Sequence, residues 1–201
     1  MSMTSQIRPA LVALLLFTLL TGLLYPLLVT GIAQIAFPYR ANGSLIEAEG
    51  QMVGSELIGQ PFDDPKYFWG RLSATGTFAY NAFNAEKLTA SSGSNYGPLN
   101  PVLLEAVEMR VTALQAADPD NAALIPVDLV TASASGLDPH ISVAAALYQM
   151  PRVAKVRGMS EAGVRQLIDQ FTEERQFGFL GEARINVLRL NLALDALTVN
   201  S

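Results

Sequence analysis

The stretch PALVALLLFTLLTGLLYPLLVTGIAQIAF, residues 9–37, decides the architecture of this chain. No charged residue stands between Arg8 and Arg40, and a helix of about 20 apolar residues already crosses the hydrocarbon core of a bilayer. A cleaved signal peptide is the alternative, with an apolar region of about 7–15 residues before a small-residue cleavage site. Gly31-Ile32-Ala33 matches such a site poorly, and the run stays apolar beyond it. We therefore predict a retained transmembrane helix over residues 10–37.

The charges on either side of this run predict its orientation. Positive residues favour the cytoplasmic side of a membrane, and the short N-terminal flank carries Arg8 and no acid. On the far side, Arg40 is soon followed by Glu47 and Glu49, and all 18 Asp and Glu residues of the chain lie beyond the run. We predict that residues 1–9 are cytoplasmic and that residues 38–201 form one periplasmic domain.

Small and polar residues interrupt the leucines of the run at five positions: Thr18, Thr21, Gly22, Tyr25 and Pro26. Small residues let a second helix approach closely, and hydroxyl groups form hydrogen bonds between helices. We predict that this patch packs against a partner helix and that the proline kinks the span near its middle. The alternative is that threonine, glycine and proline simply occur often in membrane helices.

Beyond the run, apolar spacing predicts short strands and amphipathic helices. Apolar residues at every third or fourth position indicate a helix, and alternation indicates a strand. We predict strands at residues 52–58, 125–132 and 185–192, the last from leucines at every second position. We predict helices at residues 101–118, 142–157 and 160–171, and an irregular Gly- and Ser-rich loop at residues 75–100. This order is typical of an α+β domain with a small sheet.

Local signals set the ends of these helices. Ser142 and Ser160 are predicted N-caps, and Gly158 is predicted to stop the helix before it. Pro151 lies inside an apolar pattern, so we expect a kink or a new helix there.

Composition excludes several kinds of chemistry. The chain has no cysteine, which rules out disulfides, zinc–thiolate sites, iron–sulfur clusters and cysteine nucleophiles. Its net charge of −5 argues against binding to nucleic acid.

The only histidine stands among residues that suggest a hydrolase, in the stretch TASASGLDPHIS. A catalytic triad needs a nucleophile, a base and an orienting acid, for which Ser133, Ser135, Asp138 and His140 are candidates. Neither serine lies in a G-x-S-x-G elbow. An Asp-Pro turn, with His140 exposed just before the Ser142 cap, accounts for the same residues without catalysis. We predict no catalytic residue here.

Other binding motifs are equally weak. The chain has no phosphate-binding loop of the P-loop or dinucleotide type, and the glycine-rich stretch SSGSNYG lacks a following lysine. The lone pair Asp63-Asp64 beside Pro65 predicts a turn, not a metal site. We predict no cofactor-binding and no metal-binding residue.

Several longer motifs together resemble one family along nearly the whole chain. They are RPAL at 8–11, YPLL at 25–28, ANGSLI at 41–46, GSELIGQPF at 54–62, YFWGRLSAT at 67–75, SGSN at 92–95, VDLVTASASGLD at 127–138, PRVAKVRG at 151–158 and LNLALD at 190–195. In this order and spacing they resemble the C subunit of the Kdp-type potassium-transporting P-type ATPase.

The resemblance implies an accessory, non-catalytic subunit of an ATP-driven potassium uptake complex in the bacterial inner membrane. The implied partners are a channel-like potassium-binding subunit, an ATP-hydrolysing P-type subunit and a small membrane subunit. ATP and potassium would act in the complex, with neither bound by this chain alone. The family has also been described as a catalytic chaperone that raises the ATP affinity of the pump subunit. The predicted periplasmic location conflicts with contact to ATP, and we follow the topology for location.

Four motif residues carry over from the resemblance as structural or contact positions: Arg71, Asn95, Gln149 and Arg152. The family pattern has a second glycine where this chain has Ser92, which argues further against a phosphate-binding loop. Two other function classes stay open from the residues alone. They are a membrane-anchored periplasmic hydrolase and a membrane-tethered binding protein for a small solute.

Overall fold

A computed structural model describes residues 3–48, 50–75, 83–84 and 89–199. The backbone divides into two compact units, one ending at Ser55 and the other comprising Glu56–Ser201. The predicted loop at residues 75–100 lies partly outside the described residues, at 76–82 and 85–88.

The first unit begins with the long apolar helix. A short 3₁₀ turn at Met3–Gln6 leads into α1 (Ile7–Leu19), a π-helical turn (Leu20–Leu24) and α2 (Tyr25–Ala36). Together Ile7–Ala36 form 30 residues of continuous helix that contain an 18-residue window with a mean hydropathy of 2.4, and none of the 30 is buried within the chain. This helix is long and apolar enough to cross a membrane.

A one-turn helix and a hairpin complete this unit. The helix is α3 (Pro38–Ala41), and the antiparallel strands are β1 (Leu45–Ala48) and β2 (Gln51–Ser55). The strand predicted at residues 52–58 is thus shifted, and residues 56–58 lie outside any strand.

Within its described residues, the second unit combines five helices with three short strand pairings. The elements in chain order are β3 (Phe83–Asn84), β4 (Thr89–Ala90), α4 (Pro101–Ala117), α5 (Val127–Val130), β5 (His140–Ser142), α6 (Val143–Arg157), α7 (Glu161–Phe171), β6 (Thr172–Glu173), β7 (Arg184–Asn186) and α8 (Val187–Val199). β3 pairs with β4, and a three-stranded antiparallel sheet has the order β5-β7-β6. The predicted α+β class with a small sheet is confirmed.

The hydrophobic core of the second unit lies where α6, α7 and α8 meet the three-stranded sheet. Residues with less than one-tenth of their surface exposed form it: Phe68, Trp69, Leu114, Leu129, Ile141, Ala145, Ala146, Tyr148, Val153, Ala154, Val164, Leu167, Ile168, Ile185, Val187, Leu190 and Leu194. Most come from the helices, but Phe68 and Trp69 come from a segment without regular structure.

The predicted helix ends are confirmed. The side chains of Ser142 and Ser160 accept the backbone N–H groups of Ala145 and Gly163 at 3.0 and 3.1 Å. Gly158 ends α6 with a φ of 65°, a conformation that glycine adopts without strain. The helix does not restart at Pro151, because α6 runs through it as one element, and the alternative of a kink stays a prediction. Packing of this helix, with seven buried residues, outweighs the proline's missing N–H.

The strand predicted at residues 125–132 is wrong. Pro126 caps α5, a single helical turn, and only Ala132 pairs with Leu72, in an isolated parallel bridge. The Asp128 carboxylate in this turn accepts the N–H and hydroxyl of Ser142 at 2.7 and 3.1 Å. Short apolar runs fit helix and strand equally well, so tertiary contacts decide between them.

The strand predicted at residues 185–192 is also mostly wrong. Only Arg184–Asn186 is strand, and α8 follows directly. The Asn186 side chain accepts the N–H of Arg189 at 3.1 Å, which begins the helix. Val187, Leu190 and Leu194 are buried, and their spacing of three and four matches a helix. The alternating leucines concealed that second pattern.

Candidate functional site

Residues 65–72, PKYFWGRL, form what we call the central segment of the second unit. Only Leu72 takes part in any strand pairing. Yet Phe68 is fully buried and Trp69 is 5% exposed. Buried backbone N–H and C=O groups must find hydrogen-bond partners, and here side chains of the surrounding helices supply many of them.

Two amide side chains bind the backbone of this segment as a neighbouring strand would. Asn191 of α8 accepts the N–H of Phe68 at 2.9 Å and donates to its carbonyl at 3.0 Å. Gln149 of α6 makes the same pair of bonds with Trp69, at 2.8 and 3.1 Å. Both amides are about 1% exposed. Each therefore satisfies two buried backbone groups at once.

Arg152 adds a third attachment beside Gln149. Its guanidinium donates to the carbonyls of Pro65 and Tyr67, the latter at 3.1 Å, and to Gln149 Oε1 at 2.7 Å. Its Cζ atom also lies 4.7 Å from the centre of the Trp69 ring. Burial lowers the pKa of Arg152 to about 10, so the guanidinium stays charged at neutral pH.

Two further arginines bind the flanks of the segment. Arg110 of α4 donates to the Gly70 carbonyl at 2.8 Å and lies 5.0 Å from the Trp69 ring centre. Arg157 donates to the Lys66 carbonyl at 2.7 Å and pairs with Asp195 at 2.8 Å. These polar side chains hold a buried, irregular chain in place, which is a structural role.

A cleft of about 630 Å³ lies where the central segment ends, and we call it the Arg71 cleft. Arg71 contacts Asp138 at 3.1 Å, and His140 lies between two acids, with Nδ1 3.3 Å from Asp138 and Nε2 3.9 Å from Glu173. Arg184 pairs with Glu173 at 3.1 Å. Acid and base therefore alternate along the cleft wall.

The environment of Asp138 shifts its acidity. Burial by itself would raise the pKa of this carboxyl. Hydrogen bonds from the His140 ring and backbone N–H, together with the charge of Arg71, outweigh burial and hold the pKa of Asp138 below its usual value. The carboxylate therefore stays charged and acts as an acceptor of hydrogen bonds.

The serines near His140 are engaged elsewhere in the part of the chain that the structure describes. Ser133 Oγ accepts the N–H of Gly136 at 2.8 Å, and Ser135 Oγ accepts that of Leu137 at 3.1 Å. The ring nitrogens of His140 face the two carboxylates and not a serine hydroxyl. His140 itself is half-buried in β5, so the expectation that it is an exposed loop residue is wrong.

The structure separates the four motif residues into three places. Gln149 and Arg152 meet beside Trp69, Arg71 lies in the cleft, and Asn95 is exposed in a left-handed conformation with a φ of 53°. Asp64 forms the predicted turn, because its side chain accepts the N–H of Lys66 at 3.0 Å.

Sequence reasoning missed Arg110, Arg157, Asn191 and Asp195 as residues that hold the core. A signal existed for Asn191, a lone amide inside the apolar run LNLAL. Such an amide needs a hydrogen-bond partner when its neighbours are buried.

The five predicted packing residues of the apolar helix are all exposed within the chain. Just before Pro26 the helix widens over Leu20–Leu24, and the N–H of Tyr25 donates to the Leu20 carbonyl five residues back. The kink at Pro26 stays a prediction. Thr21 Oγ1 bonds back to the Phe17 carbonyl at 2.6 Å. A Cβ atom added at Gly22 would meet no atom of another described segment within 4 Å. Among the described residues, no close contact therefore requires a glycine there.

The fold and these sites define a single-pass membrane protein with one folded α+β unit whose buried polar residues serve its structure. A family model described as "KdpC: K+-transporting ATPase, c chain" matches residues 7–196. The chain therefore belongs to the KdpC family, and it is an accessory subunit of a K+-transporting ATPase.

Individual relatives agree with the family assignment. A potassium-transporting ATPase KdpC subunit from Methylococcus capsulatus is 62% identical over 195 residues, covering 97% of this chain and 100% of that protein. One from Herpetosiphon aurantiacus is 63% identical, covering 96% and 97% of the two chains, and one from Polaromonas naphthalenivorans is 63% identical, covering 97% and 96%. The family assignment decides against the hydrolase and the solute-binding protein as alternatives.

Proposed function

We propose that this chain supports assembly of the potassium-transporting complex by holding its other subunits, without chemistry of its own. The partners of the proposal are the channel-like subunit, the ATP-hydrolysing subunit and the small membrane subunit. The observation that carries this proposal is a contrast between the polar side chains of the folded unit and the apolar side chains of the long helix. The buried polar groups bind the chain's own backbone, and a 30-residue apolar helix has no buried residue within the chain.

We further propose that residues 1–9 are cytoplasmic, residues 10–37 span the bacterial inner membrane and residues 38–201 are periplasmic. The positive Arg8 flank and the acidic remainder of the chain support this orientation. Protease added to spheroplasts that carry an N-terminally tagged chain should remove the large domain and leave the tag protected. A large domain that survives while external proteins are digested would mean that the orientation is reversed.

On this topology, ATP and potassium are bound by other subunits. A domain on the periplasmic side has no access to cytoplasmic ATP, so any effect on the ATP affinity of the pump subunit must pass through contacts between subunits.

The proposed contact within the membrane is the face formed by Thr18, Thr21, Gly22 and Tyr25, next to Pro26. Residues spaced by three, four and seven lie on one side of a helix. Leucine faces lipid as well as any residue, so small residues gain nothing there, whereas against a helix they permit close approach. The open space around Gly22 within the chain supports a partner as the reason for its small size.

Gly22→Leu tests this contact. Leucine keeps the segment apolar and favours helix, so insertion should be unchanged. The added side chain should separate the two helices and reduce partner recovery by about three- to thirtyfold, which corresponds to the roughly 0.6–2 kcal/mol typical of such contacts. The measurement is the amount of partner subunits copurified with the tagged full chain from mild detergent.

Ala13→Leu is the matched control, because it adds bulk on the other side of the helix from Gly22. Partner recovery should stay at the wild-type level in that variant. Equal recovery with both substitutions would refute the helix contact and leave the folded unit as the source of association.

A further inference from the structure

A short hairpin projects from the three-stranded sheet and presents aromatic side chains to solvent. It comprises residues 174–183, between β6 and β7, and we call it the aromatic hairpin. Phe177 is 87% exposed and Phe179 is 70% exposed, with Leu180 beside them at 47%. Single exposed apolar residues are ordinary, but here two phenylalanines and a leucine are exposed within four consecutive positions.

The hairpin holds this patch in a defined shape. Gln176 and Leu180 exchange backbone hydrogen bonds, both at 2.9 Å, and the N–H of Gly178 donates to the Arg175 carbonyl at 3.0 Å. An ion pair between Arg175 and Glu182 closes the stem. Groups ordered before binding lose less entropy when they bind, so the tip is suited to recognition.

Phe177 also adopts a conformation that a phenylalanine avoids. Its φ is 54°, in the left-handed region, which strains bulky residues but is tolerated by Asn and Gly. The ring nevertheless contributes nothing to the core, since it is almost wholly exposed. Strain at an exposed aromatic residue indicates that its value lies outside the chain's own stability.

Charge around the tip favours a protein over a lipid surface. Residues 172–186 contain Glu173, Glu174 and Glu182 against Arg175 and Arg184, and each arginine is paired with a glutamate. Segments that insert into membrane surfaces are instead rich in free Lys and Arg. The acidic balance of the whole chain, with 18 acids against 13 bases, repels anionic headgroups as well.

We propose that the aromatic hairpin is the attachment point of the folded unit, and that Phe177 and Phe179 insert into an apolar recess on another subunit of the same ATPase. This inference rests on the proposed role in assembly and adds to it a contact separate from the membrane helix. Central aromatic residues that enter a partner's pocket carry a large share of binding energy at protein interfaces.

The test is copurification of partner subunits with the tagged full chain from mild detergent, using Phe177→Asn combined with Phe179→Ser. Partner recovery should fall about tenfold or more. Phe177→Asn alone is the second variant, because asparagine tolerates the left-handed backbone. It should lower partner recovery while the chain stays as stable as wild type or becomes more stable. A residue that acted only through the stability of the chain would lower partner recovery and stability together.

Leu124→Ser is the matched control, since Leu124 is 94% exposed at a site outside the hairpin. It should keep its partners. Unchanged recovery in the hairpin variants while Gly22→Leu loses partners would overturn this inference and leave the helix contact standing. Loss of partners only together with unfolding, in both hairpin variants, would also overturn it.

A fluorescent variant separates a protein recess from the bilayer. In the assembled complex, the emission that Phe177→Trp adds to that of the wild-type complex should be blue-shifted and insensitive to brominated lipids. Quenching of that added emission by brominated lipids in the complex would place the tip in the membrane and overturn the proposal.

Discussion

The central segment and the aromatic hairpin each carry a pair of aromatic residues, and neither contains a long strand. One pair is nevertheless buried and the other is exposed to solvent. Phe68 and Trp69 are 0% and 5% exposed, whereas Phe177 and Phe179 are 87% and 70% exposed. The difference lies in where the backbone finds its hydrogen bonds. The buried pair depends on side chains from α6 and α8, while the hairpin closes bonds within itself.

This contrast shows why irregular chain is seldom buried. A segment without a strand neighbour leaves N–H and C=O groups that cost about 1–3 kcal/mol each when they are buried without a partner. Gln149 and Asn191 each satisfy two such groups, so the aromatic rings beside them can enter the core. The hairpin lacks such neighbours and needs none, because its tip lies in solvent.

Among the predicted changes, removal of Arg152 should weaken the attachment of the central segment most. Arg152→Met keeps an apolar stem of similar length but deprives Pro65 and Tyr67 of a donor to their carbonyls and Gln149 of a charged partner. We expect the free energy of unfolding to fall by about 3 kcal/mol or more. Trp69 is the only tryptophan, so its emission during denaturant unfolding of the full chain in detergent reports directly on this segment.

Arg165→Met is the control for this measurement. Arg165 forms an exposed ion pair with Asp169 one helical turn away, and such pairs contribute only about 0.5 kcal/mol. If both variants lost the same stability, buried Arg152 would contribute no more than an exposed ion pair, and the attachment of the central segment would lie elsewhere.

Local chemistry was predictable from the sequence, and the attachment of the central segment was not. Ser142, Ser160 and Gly158 act on neighbours within a few residues, so a short window of sequence contains the whole interaction. Gln149 and Trp69 are 80 residues apart, and no window contains both. The motif resemblance selected Gln149 and Arg152 as positions that matter, but only the fold shows what they hold.

The errors in the sheet have a similar physical origin. Leucines at every second position from 188 to 194 also supply a helical face through Leu190 and Leu194, and period alone cannot choose between the two. Strands of two or three residues, such as β6 and β7, are too short to show alternation. The small sheet was therefore predictable as a class but not in its position, and the aromatic hairpin that projects from it left no pattern.

Asp138 offers a smaller and sharper test, because it joins the two regions. It contacts Arg71 at the end of the central segment and His140, which in turn faces Glu173 at the base of the hairpin. Its pKa is lowered from an ordinary value of 3.8, so the contribution of its charge to stability is fully present above about pH 4 and is lost as the pH falls through the folded-state pKa.

Asp138→Asn should cost about 1 kcal/mol at pH 7, the usual contribution of a hydrogen bond. The gap between variant and wild type should shrink below pH 4, because wild-type Asp138 then also becomes neutral. His140→Ala, measured in parallel by Trp69 emission, should cost less at pH 7, since Arg71 still contacts the carboxylate. A gap for Asp138→Asn that is constant from pH 7 to pH 3 would show that shape, and not the charge of Asp138, links the central segment to the hairpin.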